Sequence, residues 1–291
     1  MDAVIDIGSN SVRLMFDRGI AVNKKYLQNT SLGEGLQHNG ALSTDAMTLT
    51  IDAVVNFCAM AKEQNADNIY IFATEAVRSA SNGRELTRKI EKAVSINVDI
   101  VDGPTEGLIG LLGAIGDEQD EISVIDIGGA SVELVRGNSR RITYAHSAPL
   151  GNLRLLDGAG EKEEDIERFI DERISEFGIV CATQLVAIGG TATALASIAL
   201  NQTVYDQNKT HGCVICLDEL HDIKTRIFRS TNRLADFPTL SIKRARIIGH
   251  GVIMLIKMLE FLDIQEVRIS ELDNMEGYLI YKKNSKKNIS T

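Results

Sequence analysis

Residues 4–14 read VIDIGSNSVRL, and residues 124–134 read VIDIGGASVEL. Eight of the eleven positions are identical, and the copies lie 120 residues apart. A match of this length implies a duplicated unit that opens each half of the chain. Each copy begins as an apolar run ending in an acid, Asp6 or Asp126. It then passes a tight polar turn and resumes as a strand, SVRLMF or SVELV. The pattern predicts two β-hairpins with polar tips. A helix follows the glycines in P-loop and dinucleotide-binding motifs, whereas a strand follows here, so those motifs are excluded. Turn N–H groups with little side-chain bulk around them can cradle a phosphate. The acid at each strand end is placed to hold a metal or its water. Gly and Asn also simply close hairpins, but an acid before the turn in both copies favours a functional site.

Outward from these hairpins the chain alternates strands and helices, which predicts α/β layers. Helical spacing covers 44–64, a strand 68–74, a polar helix 83–94 and a strand 98–103. Pro104 precedes a helix over 105–115 that carries Glu106. The acidic run 116–121 is the natural boundary, dividing the chain into domains 1–117 and 118–291. In the second half, 161–177 reads as a charged amphipathic helix. Residues 219–230 and 243–262 are helical, 266–270 is a strand, and a last helix begins near Asp273. A third glycine turn, Gly189-Gly190-Thr191, joins strand LVAI to an Ala-rich helix that Thr191 or Thr193 could cap. A strand, a Gly pair and a helix N-terminus make an anion site.

Composition narrows the function classes. The chain has 291 residues, 44% hydrophobic and 24% charged, as in ordinary globular proteins. No apolar run is long enough to cross a membrane, and the N-terminus lacks a basic region before its apolar stretch. A cytoplasmic protein without membrane partners is the expectation. The net charge of −9 argues against nucleic acid as a partner. A polyanionic small ligand would need a local cationic cleft and a bridging divalent metal. The spacing Cys213-Val-Ile-Cys216 lies in an apolar run without a second ligand pair, which predicts buried strand thiols rather than zinc. The five histidines show no metal spacing.

In order and spacing, D6-I-G-S-N-S-V-R-L14, A73-T-E-A-V-R78, E106, L111-L-G113, D126-I-G-G-A-S-V-E133, P149-L-G151, G189-G-T191, H211-G212 and S270-E-L-D-N-M-E-G277 resemble the exopolyphosphatase and guanosine pentaphosphate phosphohydrolase (Ppx/GppA) family. The resemblance covers nearly the whole chain and implies two related actin-like (ribonuclease-H-like) α/β domains with an interdomain cleft, in the short form without a helical C-terminal domain. It also implies roles. Glu106 would position or deprotonate the attacking water, and Arg78 would reach the phosphoryl group. Asp6, Asp126 and Glu133 would surround Mg²⁺. Gly8, Ser9, Asn10, Ser11, Gly128, Gly129, Ala130 and Ser131 would form phosphate-clamping hairpins, with Gly189, Gly190 and Thr191 as a further phosphate or nucleotide turn. Arg13 receives no firm role.

Such chemistry needs charge neutralisation and an in-line water, and no Cys, Ser or His nucleophile. Two plainer readings stand beside these roles. Glu106 in a first helical turn complements the helix dipole, which lowers a carboxylate pKa, and Arg78 is also readable as a surface arginine. The runs Arg84, Arg88, Lys89 and Arg136, Arg140, Arg141 read either as solvated faces or as a polyanion path. Two positions depart from the family. Ala130 stands for a third glycine, where a Cβ is expected to obstruct phosphate or an αL backbone. Met275 stands for an arginine, so a cleft contact is expected to be missing. The expected activity is metal-dependent release of terminal orthophosphate from inorganic polyphosphate. Guanosine pentaphosphate hydrolysis, a weakly catalytic phosphate or nucleotide sensor, and a kinase are the alternatives, the last disfavoured by the match at Glu106. The sequence leaves a homodimer open.

Overall fold

The computed structural model describes residues 1–20, 22–115, 120–138, 141–182 and 184–289. Its strands are β1 (Asp2–Ile7), β2 (Ser11–Phe16), β3 (Lys25–Asn29), β4 (Asn68–Ala73), β5 (Val98–Ile100), β6 (Ile122–Ile127), β7 (Val132–Gly137), β8 (Ile142–Ala148), β9 (Leu185–Ile188), β10 (Val214–Cys216) and β11 (Glu266–Ile269). Among the described residues they form two sheets, ordered β3-β2-β1-β4-β5 and β10-β11-β9-β6-β7-β8. From β8 to β11 the second sheet repeats the first. An antiparallel hairpin and third strand lie on one side of the opening strand, and two parallel strands on the other. The duplication therefore extends from an eleven-residue match to a whole sheet.

Each sheet has its own core. In the first, Ile5, Ile7 and Leu14 pack with Val54 and Phe57 of the Thr44–Glu63 helix and Leu86 and Ile90 of the Gly83–Val94 helix. In the second, Ile125, Ile127 and Leu134 pack with Leu195 and with Val252, Met254 and Leu255 of the Ile242–Leu262 helix. That helix starts on Ser241, whose side chain accepts from Arg244 N.

The last helix, Asn274–Ile289, returns to the first sheet. Met275, Tyr278 and Leu279 join Val4, Met15, Phe72, Val101 and Ile109 in one cluster. The Tyr278 ring stacks on Phe72 at 4.4 Å. Each fully buried large side chain of this kind stabilises by roughly 1.5–3 kcal/mol. The helix crosses the Gly103–Ile115 helix through glycines. A Cβ on Gly277 would stand 1.6 Å from Ile109 O, and one on Gly113 2.0 Å from Asp273 O. Only hydrogen at these two positions permits the crossing.

Several expectations change. Met275 is fully buried against the first sheet, so position 275 makes a core contact and does not face the cleft. The 161–177 helix divides into Glu163–Asp171 and a 3₁₀ turn, Ile174–Phe177, which carries Phe177 into the core. Pro104 sits inside the first turn of its helix, not before it, where its missing N–H costs nothing. Asp102 Oδ1 accepts from Thr105 N at 2.8 Å there. The CxxC thiols are not buried. On the three-residue edge strand β10, Ile215 points inward, Cys216 is exposed and Cys213 is half-buried. All four cysteines are free. Residues 116–119 of the expected boundary, and Arg140, lie outside the described residues. No helix among the described residues is long and apolar enough to cross a membrane.

Candidate active site

The two hairpins make the same turn. Gly8 N donates to Ser11 O, and Gly128 N to Ser131 O, both at 3.0 Å. Their tips meet across the two halves, since a Cβ on Gly129 would lie 2.8 Å from Ser9 Cβ and 3.5 Å from Asn10 N. The tip carbonyls are already occupied. Thr30 N and Ser31 N donate to Asn10 O, while Asn152 N and Leu153 N donate to Gly128 O and Gly129 O. Neither Asn10 nor Ala130 has a left-handed backbone, and the Ala130 side chain is buried. The expected αL strain is therefore absent, and the Ala130 Cβ is packed within the protein.

The cross-strand partners differ. In the first hairpin Asp6 faces Arg13; in the second Asp126 faces Glu133. Arg13 Nε and Nη2 donate to Asp6 Oδ2 at 3.0 and 2.5 Å, and Nη1 to Asp273 Oδ2 at 2.5 Å. Lys25 on β3 adds 2.9 Å contacts to Asp273 and Glu276. Burial works against charge at Arg13, but Asp273 and Asp6 outweigh it and hold the guanidinium cationic. Asp6, expected as a metal ligand, thus has one oxygen committed to Arg13, and its Oδ1 is buried without a hydrogen-bond partner.

In the second hairpin no cation faces Asp126, since Arg136 on β7 lies opposite Ser123 and pairs with Glu121. Burial, then the neighbouring Glu133, pushes the Asp126 carboxyl up to about 8. Burial pushes Glu133 up to about 7, against hydrogen bonds from Ser147 and Ser131. Ser147 Oγ donates to Glu133 Oε1 at 2.7 Å. Glu106 enters from the first turn of the Gly103–Ile115 helix and is buried. Burial first and Glu133 second raise its pKa well above the ordinary carboxylate value, with Arg78 opposing. The sequence-based expectation of a dipole-lowered pKa is reversed, because desolvation exceeds the helix-end field.

One glycine and an asparagine seat Asp126, and a second glycine seats Arg244. Gly189 has φ +79°, and a Cβ there would lie 2.5 Å from Asp126 Oδ1, so glycine is required on both counts. Asn274 Nδ2, at the start of the last helix, donates to Asp126 Oδ2 at 2.8 Å. A Cβ on Gly190 would meet Arg244 Nη2 at 2.3 Å, so that glycine admits the arginine. Arg244 is half-buried, its pKa lowered to about 10 by desolvation and by Arg13. It donates weakly to Thr191 Oγ1 at 3.4 Å. No carboxylate among the described residues lies in ion-pair contact with it.

These groups surround a cleft of about 90 Å³ lined by Asp6, Asn10, Arg13, Glu106, Asp126 and Arg244, among others. A neighbouring cavity of about 320 Å³ shares Arg13, Gly189, Gly190 and Arg244 and adds Lys25, Thr193, Tyr205 and Leu240. Gly8, Asn10, Ser11, Gly189 and Gly190 thus border the cleft, while Gly128, Gly129, Ala130 and Ser131 support it from behind. Thr191 is fully engaged: its hydroxyl donates to Ile127 O at 2.7 Å and accepts from Asn152 Nδ2 at 2.8 Å. It locks the helix to β6 and caps nothing. Arg78 lies behind Glu106. Its Nη1 donates to Glu106 Oε2 at 3.1 Å and to Val101 O at 2.6 Å, and Nη2 to Glu75 Oε2. It borders a separate cavity with Gly103, Pro104 and Ser147. The surface run is paired elsewhere, Lys89 with Glu85 and Arg136 with Glu121.

The donor set fits Mg²⁺, which needs only one or two carboxylates and keeps its own waters. Asp126 and Glu133 are opposed hard-oxygen donors whose pKa values burial raises first, with Glu133 adding to the rise at Asp126. The buried, unpartnered Asp6 Oδ1 and Asn274 Oδ1 add acceptor capacity. Among the described residues no three His, Cys, Asp or Glu side chains form a ready-made metal cage. Sequence reading missed Lys25, Arg244, Asp273 and Asn274. Lys25 and Arg244 lie in ordinary basic pairs, Lys24-Lys25 and Lys243-Arg244, outside any quoted motif, and only S270-E-L-D-N-M-E-G277 pointed to the other two.

Two sheets of matching topology, each opening on an acid-bearing hairpin, define a duplicated α/β protein. The model of the Ppx/GppA phosphatase family matches residues 17–286, and the chain belongs to that family. It is 26% identical to a bifunctional 3-dehydroquinate synthase/phosphatase of Fusobacterium nucleatum, covering 96% of this chain and 46% of the relative. It is 25% identical to a guanosine-5'-triphosphate,3'-diphosphate pyrophosphatase of Vibrio cholerae, covering 96% and 58%. It therefore spans about half the length of these two relatives. Exopolyphosphatase 2 of Mycobacterium tuberculosis is 24% identical and matches over 94% of this chain and 96% of its own length. The crystal structure of the Aquifex aeolicus Ppx/GppA family member superposes with a TM-score of 0.81 at 27% identity, covering 98% and 97% of the two chains.

Proposed function

We propose that this protein is a Mg²⁺-dependent phosphohydrolase that releases terminal orthophosphate from a phosphoanhydride chain, with inorganic polyphosphate as the preferred substrate. The observation that carries the reading is the cleft itself. Glu106 and Asp126, whose pKa values are raised, line it together with Arg13 and Arg244, and the buried Glu133 faces Asp126 across the hairpin. The arginines and the N-terminal N–H groups of the Gly189–Ala199 helix attract the phosphate chain. Asp126 and Glu133 would hold the metal, which when bound offsets the charge of the terminal phosphate. Glu106 orients the attacking water by accepting its hydrogen bond. Arg78 fixes the Glu106 carboxylate without touching substrate.

A second reading, hydrolysis of guanosine pentaphosphate, draws on the adjoining 320 Å³ cavity, whose Leu27, Ala194, Tyr205 and Leu240 walls offer apolar surface beside the arginines. The names of the Vibrio and Mycobacterium relatives support one substrate each. Polyphosphate is preferred because every cationic group at the cleft grips phosphate and none identifies a guanine edge. The sensor alternative weakens, because Ala130 and Met275, which suggested it, both lie outside the cleft. The test measures phosphate release from both substrates under the same Mg²⁺ and salt. Polyphosphate is expected to give the higher kcat/KM, and Glu106→Gln to lower kcat about 10²-fold or more with KM nearly unchanged. A higher kcat/KM for guanosine pentaphosphate would reverse the substrate order. Activity of Glu106→Gln within a few-fold of wild type would remove Glu106 from the chemistry.

A further inference from the structure

Behind the cleft, a chain of alternating charges joins the two halves. Arg154 sits in the first turn of the Asn152–Ala159 helix of the second half. Its Nη2 donates to Glu75 Oε1 at 3.1 Å. Glu75, in the first half, gives its other oxygen, Oε2, to Arg78 Nη2 at 2.5 Å. Arg78 Nη1 then reaches Glu106 Oε2 at 3.1 Å. Side-chain exposures are 18, 16, 22 and 7% along the series, so water screens these contacts weakly. Arg154 Nε is buried with no partner. An arginine held in so incomplete a setting is placed by the contact across the halves rather than by its own surroundings.

We infer that Arg154 is a positioning residue that couples the apposition of the two halves to the orientation of Glu106, through Glu75 and Arg78. The division of the Glu75 carboxylate is the physical basis. One oxygen serves each arginine, so Arg78 is held by a single Glu75 oxygen and keeps Nη1 free for Val101 O and Glu106. Without Arg154, both Glu75 oxygens are open to Arg78, and a carboxylate facing one guanidinium favours the two-bond fork. That rotation withdraws Nη1 from Glu106, whose link is among the longest in the series. The same first turn carries Asn152 N and Leu153 N, which bind the carbonyls of the second hairpin tip, and that tip abuts Ser9. The helix that reads hairpin contact is therefore the helix that supplies Arg154, and the series is complete only when the tips meet.

The inference rests on Glu106 serving the hydrolysis proposed above, and its test separates the two. Arg154→Gln, Arg154→Lys, Glu75→Gln and the Arg154→Gln/Glu75→Gln double variant are assayed for phosphate release from polyphosphate. Arg154→Gln is expected to lower kcat about tenfold with KM within about twofold, and Arg154→Lys to recover part of the loss. Adding Arg154→Gln to Glu75→Gln is expected to cost nothing further, since the link it acts through is gone. A crystal structure of Arg154→Gln is expected to show Arg78 withdrawn from Glu106. Independent, multiplying losses in the double variant, a rise in KM at constant kcat, or an unmoved Arg78–Glu106 contact would each overturn the relay. A wild-type protein that releases phosphate from neither substrate would overturn the proposed function instead, and the Arg78–Glu106 distance in the variant would still decide the relay.

Discussion

The two hairpins share strand register, turn geometry and eight of eleven residues, and of the three differing positions one exchanges charge. Arg13 in the first hairpin stands where Glu133 stands in the second, each facing an aspartate across the strands. The first hairpin carries its own counter-charge and, with Asp273, Lys25 and Glu276, closes an ion network. The second sets Asp126 and Glu133 face to face with Glu106 nearby, and burial raises the carboxyl pKa values of both, as it does at Asp6; only Asp6 has an arginine of its own hairpin bonded to it. Ionised together, Asp126 and Glu133 would repel across the strands, a cost that a cation would offset and that Arg13 offsets in the first hairpin. The repeat thus supplies two like frames, and an exchange of charge at one position leaves the first internally paired and the second without an arginine facing its aspartate.

The sharpest way to break this comparison is to make the hairpins alike. Glu133→Arg would give Asp126 the partner that Asp6 has. Mg²⁺-dependent phosphate release is expected to fall by about 10³-fold or more, while the melting temperature in chelator holds or rises. Retained activity would show that the charge difference is incidental. The converse loss is next in size. Asp6→Asn leaves Arg13 short of its acceptor in a buried setting, and unfolding should become easier by about 3–5 kcal/mol. An unchanged denaturant midpoint would show that Asp273 alone suffices.

The pH dependence of stability separates the hairpins more gently. Asp126 and Glu133 bind protons more tightly folded than unfolded, with pKa values of about 8 and about 7 against ordinary values of 3.8 and 4.5. Their stabilising contribution is complete below the ordinary values and is lost as pH rises through the folded ones. In chelator, stability should therefore fall by on the order of 2 kcal/mol between mildly acidic pH and pH 8. Asp126→Asn should flatten that decline, and Mg²⁺ should counter it in the wild type. A flat profile in wild-type protein would contradict the raised values. The smallest effect concerns the turn itself. Ala130→Gly restores the family residue but changes neither a left-handed backbone nor the cleft lining, and activity should stay within about threefold. A larger gain would mean that the Ala130 Cβ meets substrate after all.

The sequence carried the frame of the fold better than the wiring of the site. The hairpins were legible because strand, acid, turn and strand recur together, and the long helices because their apolar spacing persists over several turns. The third strands of each sheet, β3 and β8, escaped because KYLQN and ITYAHSA alternate only weakly and lack a turn signal at their ends. Within the site, Glu106, Asp126 and the Gly189 turn lie in motifs. Arg244 does not, because what makes it functional is a glycine 54 residues away in sequence that leaves room for its guanidinium. Nor could the sequence show that Arg78 braces Glu106 from behind, since the Val101 and Glu75 contacts that aim it depend on the packed chain.

The glycine crossing of the Asn274–Ile289 and Gly103–Ile115 helices has a consequence for how the molecule is made. The first sheet lacks one wall until Met275, Tyr278 and Leu279 arrive, and those residues leave the ribosome only after the whole second sheet. Val4 and Phe72 must wait, solvent-exposed, for partners some 200 or more residues downstream. Contacts so distant in sequence slow folding and lengthen the life of sticky intermediates. Synthesis therefore cannot finish the halves in series. The last helix acts as a timing element, sealing the earlier half only once the later one exists and setting Asn274 onto Asp126 in the same event.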